Sequence, residues 1–434
     1  MKKGFLICLI CVLFNVFLCS VGTVYCSTSE HIDFFYNQKI FTYNLEDNIK
    51  ISTIFNQNYE INKYNRFGSK QERVDLLKKL VSIGIEKSVA LDYLFPNITK
   101  TLNSIEKNLN LKPQNAKLKI NSNSKNVFEI TPERYGVEVD KISLIDEIYS
   151  TYISNKPLKF NIPTKKIKPE IIKNDLLKHT HLRSDFSTDI SSSSDSRKHN
   201  IKNALNSLNR IQILPNETFS FNKAVGKRTA ENGYREAKII INNEFVDGLG
   251  GGVCQVSSTL YNSALLAGLE IVEANKHSKQ VGYVKYGFDA MVNFGSSDLK
   301  FKNNTNEKLT IITNYSNKIA RIRIFGEGLN NTTYKLTNEI SNIVEPIEEF
   351  SQDLTGEYKD KVVYEDEQFC LKKGSRGMDI KSYREKYENN QLVSKELLRH
   401  DKFKVENTKI IYGNLKRELK NEKSQEFNIL ASLL

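Results

Sequence analysis

The sequence predicts an α+β protein of several domains set behind a membrane-inserting segment, on three observations. A chain of 434 residues exceeds what one hydrophobic core supports, so two or three domains are expected. Short β-type runs alternate with amphipathic helical runs along most of its length. The N-terminus opens Met1-Lys2-Lys3 and continues from Phe5 to Val24 with Asn15 as its only strongly polar side chain.

Residues 1–26 therefore read as a signal anchor. The apolar run lies between a signal-peptide core and a spanning helix of about 20 residues, and the two lysines favour a cytoplasmic N-terminus. The remainder would face outward. Cleavage after Cys26 would secrete the chain, but Val24-Tyr25-Cys26 is a poor small-residue signal, which favours an uncleaved single-pass anchor. Leu18 and Tyr25 are bulky where lipid modification of Cys19 or Cys26 would need a small residue.

Four of the six cysteines, Cys8, Cys11, Cys19 and Cys26, belong to or border this segment, which leaves Cys254 and Cys370. An exported compartment permits a disulfide between them. Their surroundings differ, however: Cys254 sits in a glycine loop, whereas Phe369-Cys370-Leu371 reads as a strand with Cys370 a small buried hydrophobe. A net charge of +12 fits anionic wall polymers or lipid headgroups better than nucleic acid, since no nucleic-acid motif is present. Scattered lysines also serve as an ordinary solvated face.

From 27 to 170 the sequence reads as one α+β domain. Val74, Leu77, Leu80 and Val81 give a helical stripe over Arg73 to Ile85, Phe128-Glu129-Ile130 alternates like a strand, and Leu144 to Ile153 reads as a helix ended by Asn155-Lys156-Pro157. A strand follows at Leu158 to Ile162. Ser184 to Arg197, rich in Ser and Asp, reads as a linker or a loop entering a helix capped by Asp195 or Ser196, with Ile201, Leu205 and Leu208 as its stripe.

Strands are expected at Thr218 to Phe221, Ala237 to Ile241 and Glu244 to Val246, the last two joined at an Asn242-Asn243 turn. After the glycine run Gly248 to Gly252, Gln255 to Leu266 is the clearest helix, stopped by Gly268. Further strands are expected at Leu269 to Val272, Ala290 to Phe294, Leu299 to Phe301, Leu309 to Thr313 and Ala320 to Phe325. A β-rich stretch over 344–414 has an Asn389-Asn390 turn between Lys381 to Tyr387 and Leu392 to Leu398, and 415–434 is a charged tail.

Chemistry concentrates at Gly248-Leu249-Gly250-Gly251-Gly252-Val253-Cys254-Gln255, where a cysteine stands at the entry from a glycine loop to a helix. Exposed N–H groups and the helix dipole favour a thiolate there, and loop donors at Gly251 and Gly252 can hold an oxyanion. A cysteine nucleophile needs a base and a group that orients it. His277, one of six histidines, follows the next strand, and Asp289 begins another. The order Cys, His, acid is the one used by papain-like and related cell-wall cysteine hydrolases. The competing reading is a packing loop, a buried Cys254 and an ordinary loop histidine.

The strings Pro215-Asn216-Glu217-Thr218-Phe219-Ser220-Phe221-Asn222, Val225-Gly226-Lys227-Arg228-Thr229 and Gly250-Gly251-Gly252-Val253-Cys254-Gln255-Val256-Ser257-Ser258-Thr259-Leu260-Tyr261-Asn262, followed by His277-Ser278 and Asp289-Ala290, closely resemble the VanW domain over 183–326. Phe128-Glu129-Ile130-Thr131-Pro132-Glu133-Arg134-Tyr135-Gly136-Val137-Glu138-Val139-Asp140 resembles the peptidoglycan-binding module that precedes such domains. The pattern around Tyr383 to Lys395 and Ile410-Ile411-Tyr412-Gly413 is similar to G5-like wall-adhesive modules, with Asn390 where a turn glycine is usual.

Members of the VanW family with this layout are regarded as L,D-transpeptidases. The resemblance implies that Cys254 attacks the carbonyl of the diamino acid at position three of a donor stem peptide and releases D-alanine, after which an amine of a second stem makes the 3-3 cross-link. His277 would then accept the proton and Asp289 orient it. Arg228 could clamp a substrate carboxylate or form a surface ion pair. Gln255, Ser257 and Ser258 could line the site or cap the first helical turn. The alternatives are a cysteine endopeptidase or carboxypeptidase, in which water resolves the thioester, and a non-catalytic wall-binding protein.

No metal constellation is expected, because His179 and His181 lack neighbouring ligands. No cofactor is expected either, since Gly248 to Gly252 lacks the Lys-Ser/Thr ending of a phosphate loop.

Overall fold

The computed structural model describes residues 31–44, 69–241 and 244–417, and the chain divides into two compact units. The expected anchor 1–26, the Asn242-Asn243 turn and the tail beyond 417 lie outside the described residues. Among the described residues no helix is long and apolar enough to cross a membrane.

The first unit takes residues up to Ala116 together with Pro132–Ile172. His31–Tyr36 pairs antiparallel with Lys39–Asn44 across a turn in which Asn37 has φ 53°, and parallel with Lys159–Asn161. Helices Lys70–Ser82, Lys87–Leu94, Ile98–Leu109 and Lys141–Ile153 share a core with this sheet, centred on Phe34, Tyr43, Phe95, Tyr152 and Phe160. The helix starts follow local chemistry. Ser69 and Glu72 form a capping box, and Asp140 accepts from the Ser143 N–H.

The second unit takes Lys117–Thr131 and everything from Lys173 onward. The strand Phe128–Thr131, expected within the 27–170 domain, pairs with Lys117–Ile120 and packs in this unit through a cluster of Val127, Phe128, Ile312 and Phe325. Four antiparallel strands form the main sheet, in the order His181–Asp189, Ile319–Gly326, Leu309–Tyr315, Gln212–Ile213. Helices Asp195–Leu208 and Val253–Leu266 belong to the core over this sheet. Farther along the chain, Thr332–Val344, Gly377–Glu388 and Gln391–Phe403 make a three-stranded antiparallel sheet, and Glu348–Gln352, Thr408–Tyr412 and Gln368–Lys372 make a smaller mixed one.

Four expectations need correction. Ser184–Asp189 is not linker but strand: Ser184 and Thr188 point inward and bond the Ser263 and Thr259 hydroxyls of the facing helix at 2.8 and 2.9 Å. The cap of the next helix is accordingly Ser194, whose hydroxyl accepts from the Arg197 N–H, rather than Asp195 or Ser196. Ala290 to Phe294 makes only isolated bridges. Its backbone bonding is taken by side chains: Ser258 Oγ accepts from the Ala290 N–H at 2.9 Å, Ser257 Oγ donates to the Ala290 carbonyl at 2.5 Å, and the Cys254 thiol donates to the Val292 carbonyl at 3.4 Å. Cys370 is exposed, because strand alternation turns Phe369 toward the interior, and among the described residues Cys254 and Cys370 are both free.

The glycine loop is fixed by its fit. Gly252 has φ 105°, and a Cβ there would lie 2.9 Å from Ile201 Cγ1 and 3.0 Å from Arg197 Cγ, so neither conformation nor space admits a side chain. Asn200, fully buried, donates to the Arg235 carbonyl at 2.8 Å and the Gly251 carbonyl at 3.1 Å and accepts from the Arg235 N–H at 2.8 Å. Replacing Asn200 by Ala strands buried backbone groups, so chemical denaturation should show a loss on the order of 3 kcal/mol. A loss under about 1 kcal/mol would mean that this side chain does not hold the loop.

Candidate active site

Helix Val253–Leu266 begins at Gly252, which supplies no side-chain cap, and Cys254 lies in its first turn. The Val253 and Gln255 N–H groups close turns onto the Gly250 and Gly252 carbonyls. The helix is buried along almost its whole length despite Gln255, Ser257, Ser258, Thr259, Asn262 and Ser263. Cys254 is the half-buried exception at its start, packed against the core yet keeping some exposure.

The fold brings Cys254, His277 and Asp289 together. Asp289 Oδ2 accepts from both the backbone N–H and Nδ1 of His277, each at 2.7 Å. With Nδ1 so engaged, Nε2 is the ring nitrogen that Asp289 leaves free, and His277 and Cys254 are near enough for each to shift the other's titration. Burial pushes the thiol up, but the His277 hydrogen bond and charge, helped by the Arg228 cation, pull it below the ordinary thiol range. Burial acts against the imidazolium, yet Asp289 and Cys254 raise His277 to about 9. Asp289 stays below the usual carboxylate range: burial works against its charge, and His277 and Arg399 outweigh it. The two shifts, the thiol down and the imidazole up, favour proton transfer from Cys254 to His277.

Two guanidinium groups flank the loop. The Arg228 stem packs on Gly250, its head lies 5.7 Å from the Phe221 ring centroid, and its buried Nη1 and Nη2 have no hydrogen-bond partner among the described residues. That replaces the surface ion pair weighed from sequence. Burial holds Arg228 and Arg197 below their ordinary range, and each feels Cys254 as an opposing charge. Arg197, which sequence reasoning missed, packs its stem on Gly252 and donates to Gln255 Oε1 at 3.0 Å.

The remaining expected residues are placed as supports. Gln255 donates to Thr188 Oγ1 at 3.2 Å and to the Asp189 carbonyl at 2.8 Å, tying the helix start to the sheet. Ser257 and Ser258 are fully buried: Ser258 donates to the Cys254 carbonyl at 2.8 Å, and Ser257 shares its single hydroxyl hydrogen between the Ala290 carbonyl and, at 3.0 Å, the Cys254 carbonyl. None of the three is an N-cap. Gly251 and Gly252 are buried, Gly251 against the backbone of Ala237 and Lys238. His179 Nδ1 lies 3.3 Å from Glu307, and His181 opens a strand.

A second missed residue is Arg399, which reaches Asp289 from strand Gln391–Phe403. It donates to the Asp289 carbonyl at 2.9 Å and to Oδ1, while its Nε donates to Asp401 at 2.7 Å. No local pattern marks Arg399, since Arg399-His400-Asp401 looks like any polar strand segment.

Two family models and several known proteins match the chain. The family model described as "VanW like protein" matches residues 196–325, which contain Cys254, His277 and Asp289, and that described as "Putative peptidoglycan binding domain" matches residues 40–161. The uncharacterized protein YoaR of Bacillus subtilis (strain 168) is 37% identical over 207 residues, covering 45% of this chain and 68% of that protein. The vancomycin B-type resistance protein VanW of Enterococcus faecalis (strain ATCC 700802 / V583) is 28% identical over 145 residues, covering 32% of this chain and about half, 52%, of that protein. Among solved structures, the IgA1 protease G5 domain aligns at 15% identity and TM-score 0.14, covering 20% of this chain and 92% of that one. HP0197-G5 aligns at 16% and 0.12, covering 19% and 97%. Scores at that level carry no argument about the C-terminal sheets.

The electrostatics make a direct prediction. Alkylation of the Cys254 peptide by iodoacetamide, followed by mass spectrometry across pH, should show a midpoint below the ordinary thiol value of about 8.5. In His277→Ala burial becomes the dominant influence, so the midpoint should rise by about one unit or more. Equal midpoints would rule out the ion pair. Because His277 titrates near 9 in the fold against about 6.5 unfolded, its charge stabilises the protein fully below pH ~6.5 and that contribution is lost as pH rises through about 9.

Proposed function

The chain belongs to the VanW-like family, and from that premise we propose that it is a peptidoglycan L,D-transpeptidase working through a thioester on Cys254. The observation that carries this is the half-buried thiol at a helix start, beside an imidazole that is itself anchored to a buried carboxylate.

The Cys254 thiolate attacks the carbonyl carbon at position three of the donor stem peptide. First-turn and loop N–H groups, those of Cys254, Gly251 and Gly252, stabilise the oxyanion. As the tetrahedral adduct collapses, the C–N bond to the terminal D-alanine breaks and His277 gives its proton to the departing amine. Asp289 holds the ring and the charge it carries between steps. An amine of a second stem peptide then attacks the thioester and passes a proton to neutral His277, and the thiolate leaves. The product is an amide between two third-position residues, and no cofactor is consumed.

Arg228 supports the donor assignment. Two buried guanidinium nitrogens without a partner among the described residues, near the nucleophile, suit the free carboxylate of a terminal D-alanine, which accepts a bidentate contact. The N-terminal domain matched to peptidoglycan binding and the net charge of +12 suit an anionic wall. On this reading residues 1–26 place the protein at the outer face of the membrane, as an anchor or a removed signal.

Purified protein incubated with disaccharide tetrapeptides should yield 3-3 dimers and free D-alanine by mass spectrometry, both lost in Cys254→Ala. D-alanine without dimers would make it a carboxypeptidase. Product unchanged in Cys254→Ala would remove the thiol from the chemistry. Arg228→Gln should raise KM about tenfold, since a contact to substrate is lost, and should also move the Cys254 alkylation midpoint up, since the Arg228 cation lowers the thiol; an unchanged KM would remove the clamp.

A further inference from the structure

The segment that carries His277 and Asp289 is held by the C-terminal strands at four successive points. Lys276 donates to the Lys402 carbonyl at 2.7 Å and lies 4.2 Å from the Phe403 ring centroid. Asn338 donates to the Tyr286 carbonyl at 2.9 Å. Fully buried Ser382 donates to the Gly287 carbonyl at 2.9 Å, and Gly287, with φ 86°, leaves its Oγ only 2.0 Å from where a Cβ would stand. Arg399 then takes Asp289 by both its carbonyl and Oδ1.

This last contact is buried, with side-chain exposures of 13% for Arg399 and 9% for Asp289. Asp401, buried on the far side, fixes the guanidinium through Nε at 2.7 Å, so the fork cannot rotate away from Asp289. Asp289 thus divides its oxygens: Oδ2 serves His277 and Oδ1 serves Arg399. A carboxylate held at one oxygen can swing about its bond to Cβ, whereas one held at both cannot.

We propose that Arg399 is a positioning residue of the Cys254 reaction centre, acting through Asp289 on the orientation of His277, and that the C-terminal strands are therefore part of the machinery rather than an appended wall anchor. The proposal rests on the preceding section for the identity of the reaction, but not for the state of the sulfur. The charged and titratable groups around Asp289 are His277 and Lys276 on its own segment, Lys279, Tyr283, Lys285 and Tyr286 on the connecting loop, Cys254 and Tyr261 on the helix, and Arg399, Asp401 and Arg384 on the C-terminal strands. Among these, Arg399 is the cation that contacts the carboxyl oxygen His277 does not use.

The test uses the full-length protein in detergent with Arg399→Gln and Arg399→Lys, alongside Cys254→Ala. Arg399→Gln leaves a buried carboxylate without its fixed cation, so Asp289 protonates more easily. The acid limb of kcat/KM and the midpoint of Cys254 alkylation should both move up by about one pH unit. A purely structural role would lower the amplitude and leave both midpoints in place. Arg399→Lys keeps the charge and loses the fork, so its midpoints should stay at the wild-type values while kcat falls about tenfold and KM stays within about twofold.

Unshifted profiles in a folded Arg399→Gln variant overturn the proposal. Should that variant not fold, Arg399→Lys decides it: a kcat equal to wild type overturns it, and the loss in kcat at constant KM upholds it. A wild-type protein that makes no dimers but shows the alkylation shift keeps Arg399 in place and removes the transpeptidase assignment. Dimers that need Cys254, with profiles indifferent to Arg399, do the reverse.

Discussion

The arrangement around the sulfur depends on keeping one carboxylate ionised where water scarcely reaches it. Asp289 is 6% exposed, and an isolated charge at such a position would neutralise itself rather than persist. Its charge is kept by three donors from His277 and Arg399 and a further contact at its own carbonyl. Each of those donors must be brought to it, so the loop that carries His277, the segment after Asp289 and a strand more than a hundred residues away are all drawn to one point. The geometry of the site follows from the cost of leaving that carboxylate unpaired.

The same economy of polar groups governs the cysteine helix. Its sequence, rich in Ser, Thr, Asn and Gln, would ordinarily place one face in solvent. Here nearly every polar side chain is buried and bonded: Ser263 to Ser184, Thr259 to Thr188, Gln255 to Asp189, Asn262 to the Phe288 carbonyl. Hydrophobic packing alone tolerates small rotations, but a buried hydroxyl that slips off its partner loses a full hydrogen bond. The polar contacts thereby set the angle of the helix about its axis, and with it the direction of Cys254. Ser257 and Ser258 extend this to the chain on the other side, since the hydroxyls that take the Cys254 carbonyl also hold Ala290.

These facts explain what could be seen in the sequence. The helix expected over Gln255 to Leu266, which begins two residues earlier at Val253, its stop at Gly268 and the hairpin at Asn389-Asn390, with φ 49° and 64°, follow from local conformational preference and were legible. Cys254, His277 and Asp289 could be picked out as candidates, because chemistry restricts the residue types that can stand at such places, and the roles given to them are those proposed above. Residues whose bonding partners are distant were misread. Ser184 and Thr188 look like linker until their partners on the helix are known, and Ala290 to Phe294 looks like strand until side chains occupy its backbone. Arg197 and Arg399 carry no local signal, because an arginine beside a glycine loop or on a polar strand is ordinary until the fold removes water from it.

The placement of charge also resolves a tension within any cysteine site that uses an acid. An anion close enough to orient the imidazole is close enough to oppose a second anion on sulfur, and the opposition grows as water is excluded. Asp289 meets this condition with Arg399 bound to its outer oxygen, so the pair presents His277 with a fixed acceptor while much of its negative charge is balanced on the side away from the ring. Arg228 and Arg197 act on the other side, flanking the loop with positive charge that Cys254 feels directly. Orientation and charge are thus supplied by separate groups. The carboxylate aligns the ring, His277 does most to lower the thiol, and Arg228 adds to the field in which it loses its proton.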